Sequence, residues 1–308
     1  MTDVLGRVDP ASTATDAAPE TSSTAPTTAA ARAPRRGASS VWREVVLVLG
    51  FYGLYTLVRG QFGSAATSPE HALRNAQTVI GIETHLGLYN ELALQQFFLQ
   101  WPWVIRAFNI FYGTFHFVVP IAVLVVLYRV RPARYRRWRD SLAATTALAL
   151  IGFSLFPLMP PRLLCECALG SGTDSGFVDT LSQYGGLWSF GSHGVGAVSN
   201  QYAAMPSLHF AWALWCACAV YPLVRSRWAR AAIISFPLVT LLVIVVTANH
   251  FWLDALGGAV VLGAGHLLSR VLEVALAGRR HARPVGVRVP DDAGVGAVAA
   301  PATPAVGR

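Results

Sequence analysis

The chain contains no lysine, and charged residues of every kind fill only 13% of its 308 positions. A soluble domain carries about a quarter charged residues. With 54% hydrophobic residues, this scarcity excludes an ordinary water-soluble globule and points to a polytopic membrane protein. All 24 basic side chains are arginines, set against 16 acidic ones for a formal charge of +8. They lie between apolar segments, so membrane orientation accounts for them and no nucleic-acid partner is implied. Cysteine is scarce too, with four residues in two Cys-x-Cys pairs. Cys216 and Cys218 fall inside an apolar run and read as packing residues. Cys165 and Cys167 fall in a loop, where a bridge across one spacer residue would be strained and free thiols are the alternative. No matching Cys/His cluster accompanies them, so no metal site is expected.

Residues 1–40 do not resemble a cleavable leader, since the first apolar run begins near residue 45 and is of membrane length. Residues 1–40 are rich in Ala, Thr, Ser and Pro, and residues 279–308 in Pro, Ala, Gly and Val. Both read as disordered tails around a membrane domain at 41–278. What that domain does contain is long apolar stretches. A helix needs about 20 apolar residues to span a bilayer. Six segments qualify, at 42–59, 103–128, 141–159, 205–224, 229–248 and 250–276. The expected fold is therefore all-α, a six-helix transmembrane bundle. The intervening stretch 61–101 is too polar to span, and Ala76 to Leu99, with Glu83, His85 and Glu91, reads as amphipathic helix along the interface or against the bundle.

Arginine clusters precede the first span (Arg32, Arg35, Arg36, Arg43), separate the second from the third (Arg129 to Arg139) and the fourth from the fifth (Arg225, Arg227, Arg230), and follow the sixth (Arg279, Arg280). With six spans all four clusters fall on one side, which the positive-inside rule assigns to the cytoplasm together with both termini. The loop 160–204, the start of the fourth span and the turn before the sixth then face outside. Arg162, His209 and His250 meet there.

Ionisable residues at the mouths of membrane helices are a functional signal by default. His250 and Asp254 stand four apart, on one helix face. A carboxylate on one imidazole nitrogen fixes the tautomer and leaves the other nitrogen as a nucleophile or base; a structural His–Asp pair is the plainer reading. Met205-Pro206-Ser207 reads as a helix start whose N–H groups suit an anion, with His209 one turn in, placed to protonate a departing oxygen. Arg162 offers a forked donor for phosphate, or a lipid-headgroup anchor. Together these groups suit phosphoryl transfer through a phosphohistidine, with no metal or other cofactor.

Pro206-Ser207-Leu208-His209 and His250-Phe251-Trp252-Leu253-Asp254 with Gly257-Gly258 resemble the second and third signature motifs of the type-2 phosphatidic acid phosphatase superfamily, and Pro160-Pro161-Arg162 resembles the remnant of the first. The resemblance covers about 75–275 and implies a six-helix bundle with His250 as nucleophile, Asp254 as its partner and His209 as acid. Family phosphatases carry a lysine in the first motif, which this chain lacks, and Ser-Arg six to seven positions before the nucleophile, where Val243 and Ile244 stand. These departures, and Phe111-Tyr112-Gly113-Thr114-Phe115-His116, resemble the inositol phosphorylceramide synthase branch, the inositolphosphotransferases.

Around the motifs, His116 is expected to line a substrate cavity, with Ser207, Tyr112, Asn249 and Asn109 as polar neighbours. Asn200, Gln201 and Tyr202 adjoin the helix start, His193 reads as a loop residue, and Trp101, Trp103, Trp188 and Trp252 suit the outer interfacial belt. The expected enzyme sits in a bacterial-type plasma membrane and takes a lipid phosphate: phosphatidic acid, a polyprenyl phosphate or an inositol phospholipid. Water as acceptor makes it a phosphatase, and an alcohol such as inositol makes it a phosphotransferase. The alternative is a phospholipid-binding or transport protein without catalysis, although transporter sites lie nearer the bilayer midplane.

Overall fold

Ser68 and Pro69 set the first helix. In the computed structural model, which describes residues 68–166, 175–186 and 201–281 and scattered positions between 42 and 53, α1 runs Pro69–His85. The Ser68 hydroxyl accepts from the His71 N–H at 3.4 Å, and Pro69 occupies the first turn, where its missing N–H costs no hydrogen bond. Ala72, Ala76, Val79 and Glu83 form the buried stripe at helical spacing. Gly87, at φ +67°, ends the helix in the left-handed conformation that glycine adopts without a Cβ penalty. Leu88 N–H closes that end onto the Glu83 carbonyl at 2.8 Å.

The chain restarts as α2 (Glu91–Leu99). The amphipathic segment expected over Ala76 to Leu99 is thus two helices. Of the two settings expected for it, packing against the bundle fits these helices, because Glu83 and Glu91 are fully buried while His85 is exposed.

Among the described residues, three helices are long and apolar enough to cross a membrane: α3 (Pro102–Val130), α7 (Arg227–Val246) and α8 (Trp252–His281), the last over its stretch Trp252–Ala277. At 1.5 Å per residue, even the 20 residues of α7 reach roughly 30 Å. Their outward sides carry Phe117, Val118, Ile121, Leu238, Val260 and Leu267, all exposed. An apolar face of that extent matches lipid rather than water.

Two other expected spans have different bounds. α4 (Pro132–Leu155) begins nine residues earlier than the expected 141, because Pro132 supplies a ready first-turn residue, and so takes the arginine cluster into its opening turns. α6 (Leu208–Val220) is shorter than 205–224, since Ser207 caps it and a 3-10 turn at Tyr221–Leu223 follows. The expected first span, 42–59, lies almost wholly outside the described residues, as do the N-terminal tail 1–40 and the C-terminal tail past His281, where α8 ends three residues into the stretch expected to be disordered. Among the described residues there is no strand, only an isolated bridge between Leu158 and Ala203.

Small residues set the spacing that matters for the site. A Cβ on Gly265 of α8 would lie 2.5 Å from the Thr145 hydroxyl of α4, and one on Gly152 of α4 would lie 2.7 Å from the Pro206 ring. A Cβ on Gly258 would collide with the Ser207 carbonyl oxygen. α4, α8 and the start of α6 therefore meet backbone to backbone. Beneath them, Leu158, Met159, Ala204, Ala248 and Phe251 close a core against Ala72 and Ala76 of α1.

Candidate active site

Four chain segments converge on this core: the end of α4, the start of α6, the end of α7 and the start of α8. α7 ends at Val246, and Ala248 turns the chain at φ 54°. That left-handed conformation is sterically costly for a residue with a Cβ. It is held by Ala248 N–H donating to the Val245 carbonyl at 2.9 Å, while the Ala248 carbonyl accepts from Arg162 N–H at 2.8 Å. The turn delivers Asn249 and His250 before α8 starts at Trp252.

His250 is 3% exposed and Asp254 wholly buried. The imidazole Nδ1 lies 3.1 Å from Asp254 Oδ2, which also accepts from the Phe251 N–H at 3.0 Å. An oxygen already committed to an N–H is an acceptor, so Nδ1 carries the proton and Nε2 presents its lone pair. The ring of His209 stands 5.5 Å from that of His250, centroid to centroid. His209 is the second residue of α6, not one turn in, because the helix opens only at Leu208. Ser207 caps it by accepting from the Phe210 N–H at 3.4 Å, and its own N–H donates to the Asp254 carbonyl at 2.8 Å. The start of α6 is thereby tied directly to the residue that orients His250.

His209 also packs against Tyr112 (ring centroids 4.1 Å apart, stacked) and His116 (4.0 Å), and His116 stacks on Trp212 at 4.5 Å. Beside these rings is a small recess lined by Phe111, Tyr112, His116, His209, Phe236 and Thr240 among others. Val243 and Ile244 line it as well.

Arg162 reaches the site from the 3-10 turn Pro161–Glu166. Its Nε donates to Asn249 Oδ1 at 3.0 Å and its Nη1 to Asp179 Oδ2 at 3.1 Å. Asn249 spends its remaining amide hydrogens on Thr247, at 2.8 Å to the hydroxyl and 3.3 Å to the carbonyl. Asn249 is thus a strut that aims Arg162. Asn109 is equally committed elsewhere, holding Thr180 and Gly185 around α5 (Thr180–Tyr184). Tyr202 accepts from Leu158 N–H through its carbonyl at 2.8 Å, and Trp252 donates its indole N–H to Asn90 at 3.1 Å. Asn200, His193, Trp188 and Cys167 lie outside the described residues, as does the side chain of Cys165. Among the described residues, no group of three His, Cys, Asp or Glu side chains is arranged to hold a metal ion.

Residues 77–268 match the PAP2 superfamily. The chain belongs to the PAP2 superfamily. Membership points to a membrane protein with phosphatase or phosphotransferase chemistry. No curated protein and no solved structure gives a significant match. In this PAP2 chain the motif glycine Gly258 has a physical reason: it lets Ser207 and its helix rest on α8 and brings His209 to His250.

Sequence reasoning missed Asp179, Glu83 and Glu91. Asp179 caps α5, accepting from the Leu181 and Ser182 N–H groups. That role is legible as Asp before a short helical run, but its pairing with Arg162 is not. Glu83 had a readable signal, since it continues the buried stripe of Ala72, Ala76 and Val79.

Proposed function

We propose that this protein is an integral-membrane lipid phosphate phosphatase or phosphotransferase that works through a phosphohistidine at His250. The observation that carries the reading is the buried His250–Asp254 couple, 3.1 Å apart, with the His209 ring 5.5 Å away. His250 Nε2 attacks phosphorus, and the bond from phosphorus to the lipid oxygen breaks. His209, protonated, gives its proton to that oxygen, and Asp254 holds the imidazolium through Nδ1–H. Water or an alcohol such as inositol then attacks the phosphohistidine, losing its proton to His209 as the P–N bond breaks. Arg162 neutralises charge on the phosphoryl oxygens. His116 and Tyr112 orient His209 and border the recess for the leaving or accepting group. Ser207 and Asn249 support the substrate-binding side, the first as helix cap and the second through Arg162.

The architecture in this reading is six membrane spans with both termini cytoplasmic and the site facing outward from a plasma membrane. The distribution of arginines between apolar segments supports it, because only an even number of spans gathers all four clusters on one side. Val243 and Ile244, buried at the recess where family phosphatases place Ser-Arg, support the inositolphosphotransferase-like branch and a substrate such as phosphatidic acid, a polyprenyl phosphate or an inositol phospholipid. The test is phosphate release and headgroup exchange from these lipids in mixed micelles, with wild type against His250→Ala. Activity lost in the variant supports the reading; equal activity in both overturns it. Exchange into inositol without free phosphate assigns transfer, and free phosphate alone assigns hydrolysis.

A further inference from the structure

The start of α8 is held from behind by two buried carboxyl groups that the reaction above does not use. Glu83 comes from α1 and Glu91 from α2. Glu83 Oε1 accepts from Leu253 N–H at 2.7 Å, and Glu91 Oε1 accepts from Trp252 N–H at 3.4 Å. Asp254 Oδ2 takes the preceding N–H, that of Phe251, at 3.0 Å. Three successive N–H groups at this helix start are thus occupied by three different carboxyl groups. An incoming phosphate cannot be received there, and its donors must come from Arg162 and the α6 side.

The two carboxyl groups sit side by side on the successive N–H groups of Trp252 and Leu253, and both are fully buried. Glu83 Oε2 and Glu91 Oε2 have no hydrogen-bond partner among the described residues. Two buried carboxylates in contact cannot both ionise, and one proton placed between them satisfies both orphaned oxygens. The remaining single charge is spread over two N–H donors at the positive end of a helix, where it is favourable.

We propose that Glu83 and Glu91, sharing one proton, are positioning residues for the nucleophile: they clamp the N–H groups of Trp252 and Leu253 and so fix the His250–Asp254 couple. The inference rests on His250 being the phosphoryl acceptor of the proposed function. Its geometry is specific, because residues 251–253 link the two members of the couple, and two of those three residues are gripped by the pair. A neutral Gln at 83 reproduces the protonated acid, accepting from Leu253 through oxygen and donating to Glu91 through nitrogen. Alanine removes the grip on Leu253 and leaves a void beside Glu91.

The test uses full-length protein in mixed micelles containing phosphatidic acid, with 15N-labelled histidine so that imidazole NMR reports the His250 tautomer, assigned by its loss in His250→Ala. We expect Glu83→Gln to keep the wild-type tautomer signal and a kcat within about threefold. Glu83→Ala is expected to mix the tautomers and lower kcat on the order of tenfold or more, with KM little changed, as befits a loss of alignment rather than of binding. A Glu83→Ala protein identical to wild type in both readouts overturns the proposal. So does a Glu83→Gln protein as damaged as the alanine variant, which would show that charge matters and the shared proton does not. If alanine prevents folding, Glu83→Gln decides alone by the same criteria. Wild type and His250→Ala equally inactive on this lipid would count against the proposed function, and the tautomer signal would still decide the clamp.

Discussion

Replacing Gly258 with alanine tests whether close backbone contact sets the distance between the two histidines. An added Cβ would overlap the Ser207 carbonyl oxygen and sit 3.4 Å from Ala211 N. Neither neighbour is a flexible side-chain end; both are backbone of α6. Ordinary contact requires the start of α6 to retreat by roughly 1 Å from α8. Overpacking of this kind costs about 1–3 kcal/mol of stability. The larger effect falls on chemistry, since a misplacement near 1 Å costs on the order of a hundredfold in rate. Gly265→Ala is the matched control. Its Cβ meets Thr145 as closely, but seven residues further along α8, about 10 Å from Gly258. The assay is lipid phosphate turnover in micelles alongside thermal unfolding of both variants. The reasoning predicts comparable losses of stability in the two proteins and a kcat loss about tenfold or more greater in Gly258→Ala. Equal kcat in the two variants would refute it.

Asp254→Asn keeps an oxygen acceptor for His250 and Phe251 but loses the charge that stabilises the imidazolium, so kcat should fall on the order of a thousandfold in steady-state assays. Arg162→Lys offers a single ammonium where a fork now spans Asn249 and Asp179, and kcat/KM should drop about tenfold or more with lipid phosphates. Stability should also depend on Glu83. Its burial, helped by the hydrogen bond to Glu91 and the charges of Glu91 and Asp254 and opposed by the Leu253 N–H, raises its carboxyl from 4.5 to about 9. The fold holds this proton where the unfolded chain releases it, so the stability it confers is full below about pH 4.5 and is lost as pH rises toward 9. Tyr89, pushed upward chiefly by burial and further by Glu91 and Glu83, ionises above that window. Melting in detergent at pH 5 and pH 8.5 should show the decline in wild type and a flatter profile in Glu83→Gln.

The chemical centre was legible in the sequence because its information is local. His250 and Asp254 share a helix face by spacing alone, and Pro206-Ser207 announces a helix start. The two motif segments could therefore be read without knowing what they touch. The helix bounds were less legible where proline or glycine overrode hydropathy: Pro132 drew α4 into the arginine cluster, and Gly87 split α1 from α2. Least legible were the contacts that hold the site from a distance. Glu83 meets Leu253 across 170 positions and Glu91 meets Trp252 across 161. Nothing in the composition of 61–101 distinguishes a buried acid that caps a distant helix from a solvated one. The Arg162–Asp179 pair was hidden for the same reason, since a guanidinium near a membrane surface has many candidate partners until the loop after the 3-10 turn is placed.

If His250 takes the phosphoryl group, the covalent adduct can be trapped. Brief incubation of wild type with lipid carrying 32P-phosphate, followed by alkaline denaturation, should trap label on His250 as an alkali-stable, acid-labile adduct, absent from His250→Ala. Label retained by the His250→Ala protein, or lipid phosphate turnover that continues in that variant at the wild-type rate, would contradict the account.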